Sequence, residues 1–292
     1  MTTISVAIPT YNCARLLART LQSVLEQDLP AERMDIAVVD DCSTQDDPEA
    51  VVRQIGAGRV RFLRNPRNVG IARNFNACVR QAKGDLIHIL HGDDFVLPGF
   101  HRAILDAAER FPDAGLLFTR AFVVDEAGAI DTLTGRLPSF ETPSHDVRPL
   151  IDRGNPLVTP SIVVRRSAYA RVGLFEESLS HVADWEMWVR VVHACGGVCI
   201  NKPLAAYRVF AGQDTAKVRR TGDNIREYLL LADLWTRVLP GFDRVGFLRF
   251  TEAMAAHQGT EFLAKGMAEA AAANRSMLEA VQARLSVISA NL

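Results

Sequence analysis

Short apolar runs alternate with amphipathic stretches along the first 215 residues. Ile4-Ser5-Val6-Ala7-Ile8-Pro9 reads as a strand closed by a proline, and Thr10-Tyr11-Asn12 as the loop after it. From Ala14 to Gln27, Leu16, Leu17, Leu21, Val24 and Leu25 recur at helical spacing. Met34 to Val39 is a second apolar run, ending in Asp40-Asp41-Cys42-Ser43-Thr44. Pro48 to Ile55 predicts a short helix, Val60 to Leu63 a third strand, and Ile71 to Gln81 a helix with Phe75, Cys78 and Val79 on one face. Leu86 to Leu90 is a continuous apolar run of the kind a buried parallel strand shows. It leads into His91-Gly92-Asp93-Asp94, where Gly92 lets the backbone bend so that both carboxylates are presented. Such alternation predicts an α/β fold, a mostly parallel central sheet flanked by helices. Ligands in these sheets sit at the carboxyl ends of the strands. Thr10, Tyr11, Asp40, Asp41, Asn68, Arg73, Asp93 and Asp94 are thereby expected around one cleft.

Further along, the pattern predicts a helix over Pro98 to Phe111, a strand over Gly115 to Val124 and a turn at Asp125-Glu126-Ala127-Gly128. Thr132 to Pro149 is rich in Pro, Ser, Thr and charge, with little periodicity. A long loop that orders over the cleft with substrate is expected there. A strand over Pro156 to Val164, helices over Arg166 to Val172 and Asp184 to His193, and a last strand over Val198 to Tyr207 follow. Gly222 to Leu292 reads as helices, broken near Pro240-Gly241 and between Gly259 and Gly266.

Composition narrows the function. At 292 residues the chain can bury a full core, as one large domain or two. A formal net charge of −1 provides no global basic field, so no nucleic-acid partner is expected. No apolar run approaches the ~18 residues of a membrane span. The start, Met1-Thr2-Thr3-Ile4, lacks a basic and then apolar leader, and the five cysteines are odd in number and scattered. A reducing, cytoplasmic setting is expected. Lys217-Val218-Arg219-Arg220 with Phe242, Phe247 and Phe250 is compatible with peripheral contact to the inner face of an anionic membrane. A solvated loop and a helix packed on the main body are the plainer alternatives.

Asp93 and Asp94 are the densest chemistry. Adjacent carboxylates at a strand end repel unless a cation sits between them, and Mg²⁺ or Mn²⁺ is the natural partner and also holds phosphates. A solvated turn is the competing reading. Tyr11 can stack on a nucleobase or cap a core. Asp41 can accept from a base N–H or cap the next helix. Arg73, beside Gly70 at a helix start, can steady phosphates or simply be solvated. Asp184 can take a proton from a hydroxyl or serve as an N-cap, and Trp185 can stack on a sugar ring or fill the core. Pro9-Thr10-Tyr11-Asn12 in place of a GxGxxG turn argues against a dinucleotide site.

The ordered set resembles bacterial family 2 glycosyltransferases of the GT-A fold. It comprises Ser5 to Asn12, Val38 to Thr44, Asn65 to Asn74, Gly84-Asp85 through Asp94, Pro160 to Arg166, and Ala183-Asp184-Trp185-Glu186. The resemblance covers about residues 4–215, divided at residue 97 into nucleotide-binding (1–97) and acceptor (98–215) halves, with 216–292 as a helical extension. It implies a nucleotide-diphosphate sugar donor (UDP favoured, GDP or dTDP as alternatives), a divalent cation, and inversion at the anomeric carbon. It implies Thr10, Tyr11 and Asp41 at the base, Arg73 and Asp93 near ribose and phosphates, Pro9 and Asn68 as further donor-binding residues, Asp93 and Asp94 on the metal, and Asp184 as catalytic base. Saccharide, lipid-linked and small-molecule acceptors all remain open, with cell-surface polysaccharide or glycoconjugate synthesis as the expected setting. The chain departs from the family in three places: His91 where an Asp-x-Asp-Asp stretch begins, Phe210 in place of the histidine of Tyr-Arg-x-His, and Ala183 before Asp184. These departures keep open a nucleotide-binding module without turnover. A sugar nucleotidyltransferase is the third reading, disfavoured by the missing Gly-rich phosphate loop.

Overall fold

The computed structural model describes residues 1–152, 154–210 and 212–290. β1 (Ile4–Thr10), α1 (Ala14–Leu25), β2 (Met34–Asp40), α2 (Pro48–Ile55), β3 (Val60–Arg64), α3 (Ile71–Gln81) and β4 (Leu86–Ile89) follow the predicted alternation closely. β5 (Phe95–Val96), α4 (Phe100–Arg110), β6 (Leu116–Val124), β7 (Ile130–Leu133), α5 (Arg148–Ile151), β8 (Ile162–Arg165), α6 (Arg166–Val172), α7 (Ala183–Cys195) and β9 (Gly197–Arg208) complete the α/β body. α8 (Asp214–Thr221), α9 (Asp223–Val238), α10 (Arg244–Ala264) and α11 (Ala268–Ala290) close the chain.

One curled sheet runs in the order β3-β2-β1-β4-β8-β6-β9-β5, with β7 added on β6. β3, β2, β1 and β4 are parallel, and β6 runs parallel to β9, while β8 and β5 enter antiparallel. Every residue of β1 is buried because both faces are covered. Val6 and Ile8 pack with Leu17, Leu21, Phe100 and Ile104 of α1 and α4, whereas Ala7 meets Cys78 of α3, as the two-residue period of a strand requires. β4 is clamped at its start: Ser5 Oγ accepts from the N–H groups of Lys83 and Gly84, at 2.7 and 2.8 Å.

Two expectations are corrected, for Thr132 to Pro149 and for the strand from Pro156, and two are sharpened, between Gly259 and Gly266 and at Gly92. Thr132 to Pro149 is not a free loop. It supplies part of β7 and a 3-10 turn, Phe140 is fully buried, and Ser144 bridges to Gly197. The strand expected from Pro156 begins only at Ile162, because Thr159–Ser161 forms a 3-10 turn. Gly259 lies inside α10, and the break falls at Gly266 (φ 70°). Gly92 answers a close approach: a Cβ there would stand 3.0 Å from Thr10 Oγ1.

Candidate active site

The carboxyl end of β4 is held from several sides. Thr20 Oγ1 donates to the carbonyls of Asp94 (2.6 Å) and Gly92 (3.0 Å). The Arg208 backbone N–H donates to Asp94 Oδ1 at 2.8 Å, and its Nε donates to the Asp93 carbonyl at 2.7 Å. Arg208 is itself buried, bonded to the Glu126 carbonyl and lying over the Phe95 ring. These contacts fix the loop while leaving side-chain atoms unspent. Asp94 Oδ2, fully buried, lies 3.4 Å from His91 Nδ1 and has no other polar partner among the described residues. His91 Nε2 is likewise unpartnered, and its ring stacks on Phe75. Ligand-capable atoms of His91, Asp93 and Asp94 lie within 4.8 Å of one another. Burial first, and the charge of Asp93 second, push the Asp94 carboxyl up to about 6. Burial lowers His91, but its hydrogen bond to Asp94 and the charges of Asp94, Asp93 and Asp184 outweigh that and raise it. Orphaned acceptors and mutually repelling carboxylates fit a divalent cation.

The ends of β1 and β2 form the adjoining wall. Thr10 is buried with Oγ1 unpartnered among the described residues, and Tyr11 is 47 % exposed. Asn12, at φ 49°, ties the two loops by accepting from the N–H groups of Thr44 (2.9 Å) and Gln45 (3.0 Å). Asp40 turns inward, accepting from Arg64 Nε at 2.6 Å and from the Ser43 N–H. Asp41 accepts from Asn65 Nδ2 (2.8 Å), the Val69 N–H (3.0 Å) and the Gly70 N–H (2.9 Å), so it shapes the loop that starts α3. Among the described residues, Asp41 Oδ2 takes only the Gly70 bond and keeps capacity for another donor. Asn68 is exposed on that loop, and Arg73 is exposed with Nε 2.9 Å from Glu177. Cys13 also borders the acidic loop; burial, then Asp93, Asp46 and Asp94, push its thiol up to about 12, a poor nucleophile.

Asp184 stands in the first turn of α7. Its Oδ1 accepts from the Trp185 N–H at 2.6 Å and its Oδ2 from Thr159 Oγ1 at 2.8 Å. It is not the N-cap, which is Val182. Its charge acts on His91 and Tyr207, the same two rings that feel Asp93 and Asp94, so Asp184 lies within electrostatic reach of the acidic loop. Trp185 belongs to the core: it is buried, its Nε1 donates to the Leu150 carbonyl, and its ring packs with Tyr228, Trp235 and Phe247. Phe242 and Phe250 join that aromatic cluster, while Arg219 pairs with Glu261 over Phe262.

Sequence reasoning passed over Thr159, which bonds Asp184, and Arg208, which holds Asp93 and Asp94. Only Arg208 left a trace, as the Tyr-Arg pair at the end of the last predicted strand. A cavity of about 580 Å³ at the other end of α7, lined by His145, Arg148, His193, Asp243 and Phe247, contains none of the predicted site residues.

The family model described as glycosyl transferase family 2 matches residues 5–171. An uncharacterised protein of Mycobacterium tuberculosis is 30% identical over 235 residues, covering 76% of this chain and 72% of its own length. Staphylococcus aureus TarS, in complex with UDP-GlcNAc, superposes with a TM-score of 0.61 at 15% identity, covering 96% of this chain and 91% of that one. The mannosyltransferase PcManGT of Pyrobaculum calidifontis, in complex with GDP-Man and Mn²⁺, gives a TM-score of 0.58 at 17% identity over 97% and 87% of the two chains. No described helix is long and apolar enough to cross a membrane. The curled GT-A sheet, its acidic loop at the end of β4 and the matched profile agree: this chain belongs to glycosyltransferase family 2.

Proposed function

We propose that this glycosyltransferase is an inverting enzyme that moves a sugar from a UDP-sugar to an acceptor hydroxyl in the synthesis of a cell-surface polysaccharide or related glycoconjugate. The observation that supports the reading most is that Asp184, with both oxygens oriented by hydrogen bonds, lies within electrostatic reach of His91, whose ligand atoms group with those of Asp93 and Asp94. Asp184 accepts the acceptor hydroxyl proton as that oxygen bonds to C1, and the bond from C1 to the leaving diphosphate breaks on the opposite face. Asp93, Asp94 and His91 would hold a divalent cation, and an imidazole ligand favours Mn²⁺ over Mg²⁺. When bound, that cation supplies positive charge against the leaving diphosphate. Arg73 adds a guanidinium at the start of α3 once a phosphate displaces Glu177 from it. Pro9, Thr10 and Tyr11 wall the base, Asp41 offers Oδ2 to a ring N–H, and Asn68 stands beside the ribose and phosphates. The nucleotides named with TarS and PcManGT support a uridine or guanosine diphosphate donor.

Thermal shifts against UDP-, GDP- and dTDP-sugars with Mn²⁺, followed by the anomeric configuration of any product, test this. A ligand at a hundred times its Kd stabilises by about 2.7 kcal/mol. Selective stabilisation by one nucleotide sugar and an inverted product are expected. Stabilisation without turnover would favour the binding-only module, and no stabilisation by any donor would remove the proposal.

A further inference from the structure

We infer that Glu227, on the C-terminal helix α9, is a positioning residue for sugar transfer that sets the start of α7 and through it Asp184. The inference rests on the reading of Asp184 as the base. α7 begins without a side-chain cap of its own, since its N-cap is Val182. The first N–H groups of a helix need partners, and burying them unpaired is costly. Glu227, 45 residues away, supplies the partner for the N-cap N–H of Val182 and for the N–H groups of Ser180 and His181 just before it. Its carboxylate is 2 % exposed. Oε1 accepts from the Ser180 N–H (3.0 Å) and the Ser180 hydroxyl, and Oε2 from the N–H groups of His181 (2.8 Å) and Val182 (3.0 Å). An anion at this end of the helix is also favoured by the helix dipole.

The mount is rigid. Ile225, Leu229, Leu231 and Trp235 of α9 are buried in the same core as Trp185, Met187 and Trp188 of α7, with the Trp185 and Trp235 rings 5.2 Å apart. Asp184 follows Val182 by two residues and owes one of its two hydrogen bonds to the first turn itself, through the Trp185 N–H. A tilt of that turn would therefore move the carboxylate away from the acceptor hydroxyl. The helices beyond residue 222 thus reach the start of α7 through the Glu227 carboxylate as well as through packing on Trp185.

Full-length Glu227→Gln and Glu227→Asp test this by two readouts. Gln keeps the volume but turns an NH₂ toward backbone donors. We expect kcat to fall by about 10²-fold, as a misplacement near 1 Å produces. The donor KM and the Kd for UDP with Mn²⁺ should change less than about twofold, because the Asp93–Asp94 loop has no contact with Glu227 among the described hydrogen bonds. Asp, one methylene shorter, should recover part of the rate. Hydrogen exchange should quicken at the amides of 180–184 and stay unchanged at 91–94. Wild-type turnover in both variants, unchanged exchange at 180–182, or equal loss of donor binding and rate would each overturn the inference. The exchange readout decides whether Glu227 holds the start of α7 even if the wild-type chain transfers no sugar, an outcome that would sink the functional reading and not this contact.

Discussion

Asp94 carries a charge that the fold alone does not favour. Its carboxyl titrates near 6 against an ordinary 3.8, so between those values the folded chain holds a proton that the unfolded chain has lost. The sign follows: this contribution is fully present below about pH 4 and is lost as pH rises through 6, a change on the order of 3 kcal/mol. His91, also raised, loses its stabilising proton in the same direction. Asp94→Asn is therefore expected to raise the Tm of the metal-free protein at pH 7.5, to change little at pH 4.5, and to abolish stabilisation by Mn²⁺. Calorimetry at the two pH values checks this; a lower Tm at pH 7.5 would contradict it. The sequence exposed Asp93 and Asp94 because they are neighbours at the end of an apolar strand. It concealed their partner, since Arg208 meets Asp94 across 114 positions. Thr159 and Glu227 were hidden for the same reason: no local pattern records a hydrogen bond made 25 or 45 residues away.

Strands and helices with strong periods were legible, and the failures share a cause. β1, β2 and β4 are buried on both faces and read as plain apolar runs. Pro156 to Val164 looks equally apolar, yet Thr159–Ser161 is turned by a tertiary contact. His88 Nε2 lies 3.0 Å from the Pro160 carbonyl, which can only accept, so Nε2 carries the hydrogen. His88 Nδ1 must then accept from His101 Nε2 at 3.1 Å. Burial drives His88 down to about 3, which keeps it neutral and the relay intact. The turn so fixed aims Thr159 Oγ1 at Asp184. Thr159→Val should lower kcat about tenfold with the donor KM unchanged, and Thr159→Ser should restore most of it, by steady-state kinetics; a wild-type kcat in the valine variant would contradict the assignment.

Across the molecule, the helices after residue 215 look like an appendage in sequence and share a core in space. Ile225, Trp235, Leu248, Ala255 and Val281 pack in one cluster with Phe118, Trp185, Trp188 and Val192. Sequence patterning showed that these helices exist but not which face each buries, because α10 and α11 carry apolar residues on several sides. A chain ended at residue 221 would strip Tyr228, Trp235 and Phe247 from the buried Trp185, a side chain worth about 3 kcal/mol or more in such a core. We expect it to be insoluble or to lack a cooperative unfolding transition by circular dichroism; a soluble fragment with the full-length Tm would contradict the shared core. The most direct test of the whole account pairs two measurements on Asp184→Asn: calorimetric titration with UDP and Mn²⁺, and transfer of the donor sugar. Binding within about twofold of wild type with transfer reduced by about 10³-fold or more is the expected result. Transfer at the wild-type rate would contradict it.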